Sequence, residues 1–210
     1  MKLEKSINNI LNYFDDKLSR FGSTPQGADW NSIDAQQIRF EQLLKIVKPD
    51  DQFSLMDYGS GFGALIEYMK LKNFNFREYF GYDILDSMVQ KGESLFEADK
   101  NIHFTTSVEN IPAVDYAVAS GVFNIRLNIS TEEFTIYMLN CLEIMHEKSI
   151  KGFSANFLTK YSDENRMRPD LFYADPGFVF DYCKKHFSRN VALLHDYDLY
   201  DFTILVRKSL

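Results

Sequence analysis

The sequence predicts an α/β protein: a doubly wound, seven-stranded, mostly parallel sheet with an antiparallel last strand, helices on both faces and a helical cap at the N-terminus. Three observations carry this. Residues 53–58 form an apolar run of strand length that leads into Gly59, Gly61 and Gly63, and Leu65, Ile66 and Met69 then recur at helical spacing. Strand-length and helix-length segments go on alternating along the rest of the chain. The last two apolar runs, 191–194 and 202–206, are joined by residues 195–201 only, too few for a helical crossover, so they should pair antiparallel.

The 210 residues suffice for one domain with a short appendage, divided here as an N-terminal helical cap over 1–48 and an α/β domain over 49–210. A net charge of −7 disfavours a nucleic-acid surface, which needs lysine and arginine to neutralise phosphates. Residues 1–6 lack the apolar core of a signal peptide and no later run approaches membrane-spanning length, so a cytoplasmic protein without membrane attachment is expected. Cys141 and Cys183 stand in amphipathic segments with no Cys-x-x-Cys or Cys/His spacing and read as packed thiols. No acidic cluster has the spacing of a metal site. The oligomeric state is left open.

In chain order, Ile7, Ile10, Leu11, Phe14 and Leu18 define an amphipathic helix over 4–20. The turn-rich stretch 21–30 holds the only tryptophan, Trp30, which reads either as part of a lid touching a substrate or as a plug against the core. A second helix is expected over 32–47. The strand and glycine turn follow, then an aromatic strand over 78–83 ending in Asp83, twenty residues past Gly63. Further helices are marked by Leu85, Met88 and Val89, by the capping box Ser130-x-x-Glu133, and by Pro176 at a helix start. Further strands are expected over 102–105, 113–119 and 150–158.

The glycine spacing narrows the ligand. A dinucleotide fingerprint is GxGxxG, whereas here the third glycine arrives one residue sooner, which argues against NAD. Met56-Asp57-Tyr58-Gly59-Ser60-Gly61-Phe62-Gly63 resembles the first motif of the class I S-adenosylmethionine-dependent methyltransferases, an apolar strand, an acid, one residue and GxGxG. The resemblance extends in order over about residues 50–208, and beyond the shared motifs it points to a little-characterised bacterial group.

That resemblance implies S-adenosylmethionine as cofactor and a small-molecule methyl acceptor, with O-methylation favoured over N-methylation. Asp57, Gly59, Ser60 and Gly61 would form the cradle, and Asp83, with Ile84 beside it, would accept hydrogen bonds from the ribose hydroxyls. Val108 would lie on the adenine. Ser120 and Gly121, at the carboxyl end of the fourth strand, would face the methionine part at the switch point of the sheet. On the acceptor side stand Trp30, Asn124, Tyr161, Arg166 and Arg168. The two arginines suit a phosphate or carboxylate on an anionic acceptor, or else a solvated surface. His195, in the turn after the sixth strand, is the candidate general base. Two other readings stay open: a non-catalytic S-adenosylmethionine-binding partner subunit, and a different nucleotide-binding Rossmann-like enzyme.

Overall fold

The computed structural model describes residues 2–22, 32–48 and 51–209; Trp30 lies outside them. Helices α1 (Lys2–Phe21) and α2 (Ile33–Leu44) precede the alternating region. There β1 (Phe53–Tyr58), α3 (Ala64–Leu71), β2 (Phe76–Tyr82), α4 (Asp86–Leu95), β3 (Ile102–Thr105), β4 (Val114–Ala119), α5 (Thr131–Lys148), β5 (Ser149–Leu158), α6 (Pro176–His186), β6 (Asn190–Leu194) and β7 (Asp201–Arg207) follow. The strands form one sheet in the order β3-β2-β1-β4-β5-β7-β6, and β7 runs antiparallel to both its neighbours.

Local chemistry sets the ends of these elements. Ser32 caps α2 by accepting the Ala35 amide, and the helix stops at Leu44, short of the expected residue 47, because the amides of Lys45, Ile46 and Val47 turn back to carbonyls three residues earlier. Ser130 accepts the Glu133 amide at 3.2 Å, which makes the expected start of α5. Asp175 caps α6, with Pro176 in its first turn, where a missing N–H has no cost.

Every residue of β1 and of β4 is buried, as in parallel strands covered on both faces. Alternation then sends neighbours to opposite cores. Met56, Ala117, Phe153 and Phe157 pack under α5 and α6 with Phe134, Met138, Cys141 and Cys183. On the other face Leu55, Val118 and Tyr79 pack with Phe40 and Leu44 of α2 and with Leu65, Ile66 and Met69 of α3. Both cysteines are free and buried, and burial pushes the Cys183 thiol up to about 12. Helix α2 therefore belongs to the layer over the sheet, where Ser154 donates to the Leu43 carbonyl at 2.9 Å. No helix among the described residues is long and apolar enough to cross a membrane.

Candidate active site

The reversal of strand order falls between β1 and β4, and a cavity of about 300 Å³ opens there at the carboxyl ends of the strands. Its floor is the glycine turn. The amides of Gly59 and Ser60 both donate to the Tyr82 carbonyl, at 2.7 and 2.9 Å, so the turn is tied to the end of β2. Gly59, Gly61 and Gly63 all have positive φ, of 76°, 54° and 93°. They differ in surroundings. A Cβ on Gly59 would strike Val122 and one on Gly63 would strike Ile66, Phe96 and Phe104, whereas a Cβ on Gly61 would meet only the Met88 sulfur, 4.0 Å away. Gly61 is thus the position where a missing side chain leaves the cavity open.

Asp83 sits one residue past β2 and faces the same space. Its two carboxylate oxygens accept the Gly61 amide at 2.9 Å and the Leu85 amide at 3.0 Å. Each oxygen keeps acceptor capacity for a further donor. Burial raises the Asp83 pKa above the usual carboxylate value, opposed by these two amides. Beneath the turn, buried Asp57 accepts the Tyr79 hydroxyl at 2.7 Å. Burial pushes its pKa up to about 7, with the Tyr79 hydrogen bond opposing the shift and the nearby Asp83 adding to it. Ile84, Leu85 and Met88 continue the lining on the Asp83 side.

Across β1 the lining comes from the segment after β4. Gly121 has φ of 75°, and its amide donates to Asn156 Oδ1 at 2.8 Å. Ser120 Oγ and Asn124 Oδ1 are buried without a hydrogen-bond partner among the described residues, which marks this wall as made for a polar ligand. Tyr58, Tyr82 and Tyr137 complete it, and burial raises the pKa of all three phenols, so they stay neutral.

Sequence reasoning missed the contribution of the first two helices. Ile10, Leu11 and Phe14 of α1 lie across the cavity, and Gln36 and Arg39 of α2 reach it from the side. The apolar stripe of α1 was readable, but the surface it covers was not. The structure brings Asp57, Gly59, Ser60, Gly61, Asp83, Ile84, Ser120, Gly121, Asn124 and Arg168 to this one cavity.

Four expected residues lie elsewhere. Val108 packs against the core beneath α5 and does not line the cavity. Tyr161 and His195 are both exposed, with ring centroids 6.1 Å apart, at the β6 side of the sheet. Arg166 is exposed over the Tyr200 ring and 4.0 Å from Asp163. For His195 the reason is lateral: β4, β5 and β7 separate β1 from β6, so a shared carboxyl-end edge does not place the turn after β6 at the glycine loop; Tyr161 and Arg166 follow β5, but their side chains lie against His195 and Tyr200 and not in the cavity. No group of three or more His, Cys, Asp or Glu side chains among the described residues is placed to hold a metal ion.

No protein-family model matches the chain. A curated protein of Mycobacterium tuberculosis named "Putative methyltransferase Rv1506c" is 44% identical over 166 residues, which cover 79% of this chain and 99% of that protein. The chain belongs to this methyltransferase family. Solved structures agree at the level of the fold. The methyltransferase superimposes on N-methyltransferase NodS from Bradyrhizobium japonicum, in complex with S-adenosyl-l-homocysteine, with a TM-score of 0.65 and 13% identity over 94% of this chain and 97% of that one. A SAM-dependent methyltransferase from Aquifex aeolicus gives 0.59 and 16% identity over 84% and 94% of the two chains. Human N-acetylserotonin methyltransferase in complex with SAM also gives 0.59, at 15% identity over 95% of this chain, which spans only 56% of the human one.

Proposed function

We propose that this chain transfers the methyl group of S-adenosylmethionine to a small-molecule acceptor, with a hydroxyl oxygen as the favoured acceptor atom. The observation that carries the reading is the open cradle at Gly61 beside the Asp83 carboxylate, at the switch point of a methyltransferase fold. When bound, the cofactor supplies a methyl group on a sulfonium, displaced in line by the acceptor heteroatom.

The residues present suit that cofactor. Asp83 has acceptor capacity for two ribose hydroxyls while it holds the turn through Gly61. The apolar groups Ile84, Leu85 and Met88 offer a face for a base, and Gly59, Ser60 and Gly61 let a ligand approach the backbone. Ser120, Gly121 and Asn124 supply polar groups on the far wall, two of them with unpartnered oxygens.

No histidine or lysine is among the described residues that line the cavity, and its phenols are held neutral. The chain then acts chiefly by orientation, which supplies about 7–11 kcal/mol when reacting groups are held in near-attack geometry. Asn124 Oδ1 would accept the proton-bearing end of the acceptor and fix its direction. An amine is the second reading, favoured by the same lack of a histidine or lysine in the described lining, since an amine need only arrive unprotonated; NodS is an N-methyltransferase by name.

The test is turnover. The protein is incubated with S-adenosylmethionine and a small-molecule extract of cells, and S-adenosylhomocysteine is quantified. Release that requires both protein and extract is the expected result. Tight cofactor binding with no release above background would instead support a non-catalytic partner subunit, and preference for NAD or NADP would support a different nucleotide enzyme.

A further inference from the structure

The acceptor end of the cavity carries its own chemical signature. Asp83 closes one side of the cavity at the end of β2, and Leu158 closes the other at the end of β5, with β1 and β4 between them. Beyond Asn124 the lining includes Ile125, Leu158 and Leu171, and Ile10, Leu11 and Phe14 of α1 lie across the cavity. This wall is fixed: Ile125 bridges Leu171, the amides of Arg126 and Leu127 both donate to the Asp170 carbonyl at 3.0 Å, and the Phe172 amide donates to the Asn124 carbonyl at 2.8 Å.

The two arginines among the described lining residues are already paired with carboxylates. Arg39 donates from Nε and one Nη to the two oxygens of Asp201, whose side chain is fully buried. Arg168 forks onto both oxygens of Asp170 and also hydrogen-bonds Tyr13 of α1. Each guanidinium charge is thus already balanced by a carboxylate, so an anion entering here would meet no net positive charge and would leave water for a partly apolar wall. An uncharged apolar body loses nothing by the same transfer.

We propose that the space between α1 and the Asn124–Leu171 wall receives an uncharged acceptor with an apolar body, whose hydroxyl or amino group donates to Asn124 Oδ1. This rests on the methyltransferase reading and names its substrate class; it sets aside the phosphate or carboxylate that Arg166 and Arg168 suggested in sequence.

The probes are 4-butylphenol and 4-butylbenzoate, matched in apolar body and differing in charge. The protein is first titrated with S-adenosylhomocysteine by calorimetry; failure at that step counts against the methyltransferase reading and not against the acceptor class. The loaded protein is then titrated with each probe. The phenol should bind at least about tenfold more tightly than the benzoate. Phe14→Ser should weaken the phenol by more than it weakens S-adenosylhomocysteine, and Asp170→Asn, which removes the countercharge of Arg168, should raise benzoate affinity. Equal or tighter benzoate binding to the unaltered protein, no phenol binding at millimolar concentration, or a Phe14→Ser protein that binds the phenol normally would each overturn the proposal.

Discussion

Arg39 of α2 and Asp201 of β7, 162 residues apart in sequence, form a bidentate ion pair with contacts of 3.1 and 2.6 Å. The Asp201 carboxylate also accepts Asn156 Nδ2 at 3.3 Å, and Asn156 Oδ1 accepts the Gly121 amide, so one buried chain of hydrogen bonds runs from α2 to the cavity wall. Removal of one partner from a buried pair strands the other. Asp201→Ala should therefore cost about 3–5 kcal/mol in urea unfolding, while the double change Arg39→Met with Asp201→Leu should cost clearly less. A loss below about 1 kcal/mol for Asp201→Ala would mean that the pair is solvated.

Gly61 and Gly63 should separate by effect. Gly61→Val places its side chain in the cavity, so it should abolish cofactor binding with a near-native far-ultraviolet spectrum. Gly63→Val meets Ile66, Phe96 and Phe104 within 3 Å and should lower the melting temperature instead. Normal binding by a folded Gly61→Val protein would show that the ligand does not approach the turn.

Asp57 gives a pH dependence with a definite sign. Its ordinary pKa of 3.8 rises to about 7 in the folded protein, so the native state holds this proton more tightly than the unfolded chain does. Its contribution to stability is fully present below pH 3.8 and is lost as the pH rises through about 7. Asp57→Asn keeps an oxygen for the Tyr79 hydroxyl and removes the titration. The stability of the unaltered protein relative to Asp57→Asn, from urea unfolding, should therefore be greater at pH 5 than at pH 8. A difference independent of pH would mean that Asp57 titrates alike folded and unfolded.

What the sequence showed and what it hid divide along contact distance. The glycine turn and Asp83 were legible because a strand, its turn and the next strand end are set by short-range pattern, and parallel register brings Tyr58 beside Tyr82. The antiparallel end of the sheet followed from a loop length. The surface that α1 covers, the Arg39–Asp201 pair and the place of Tyr137 in the cavity wall were not legible, since each depends on which distant surfaces pack together. His195 follows the sixth strand, and only the strand order shows that β4, β5 and β7 stand between it and the glycine turn; Tyr161 and Arg166 share a loop with Arg168, and which of its side chains reaches the cavity is set by tertiary packing.

His195 supplies a direct check on that point. It stands outside the cavity lining, so His195→Ala should keep kcat within about twofold and leave the pH profile of turnover unaltered. A kcat that falls and recovers at high pH would return His195 to the reaction as a base.

Calorimetric titration of the unaltered and Asp83→Ala proteins tests whether the glycine turn and Asp83 together hold S-adenosylmethionine. The unaltered protein should bind S-adenosylmethionine and S-adenosylhomocysteine without added metal, and Asp83→Ala should weaken both by about 1.5–3 kcal/mol, the range for hydrogen bonds to a charged group. Unchanged affinity in a folded Asp83→Ala protein, or tighter binding of NAD than of S-adenosylmethionine by the unaltered one, would contradict it.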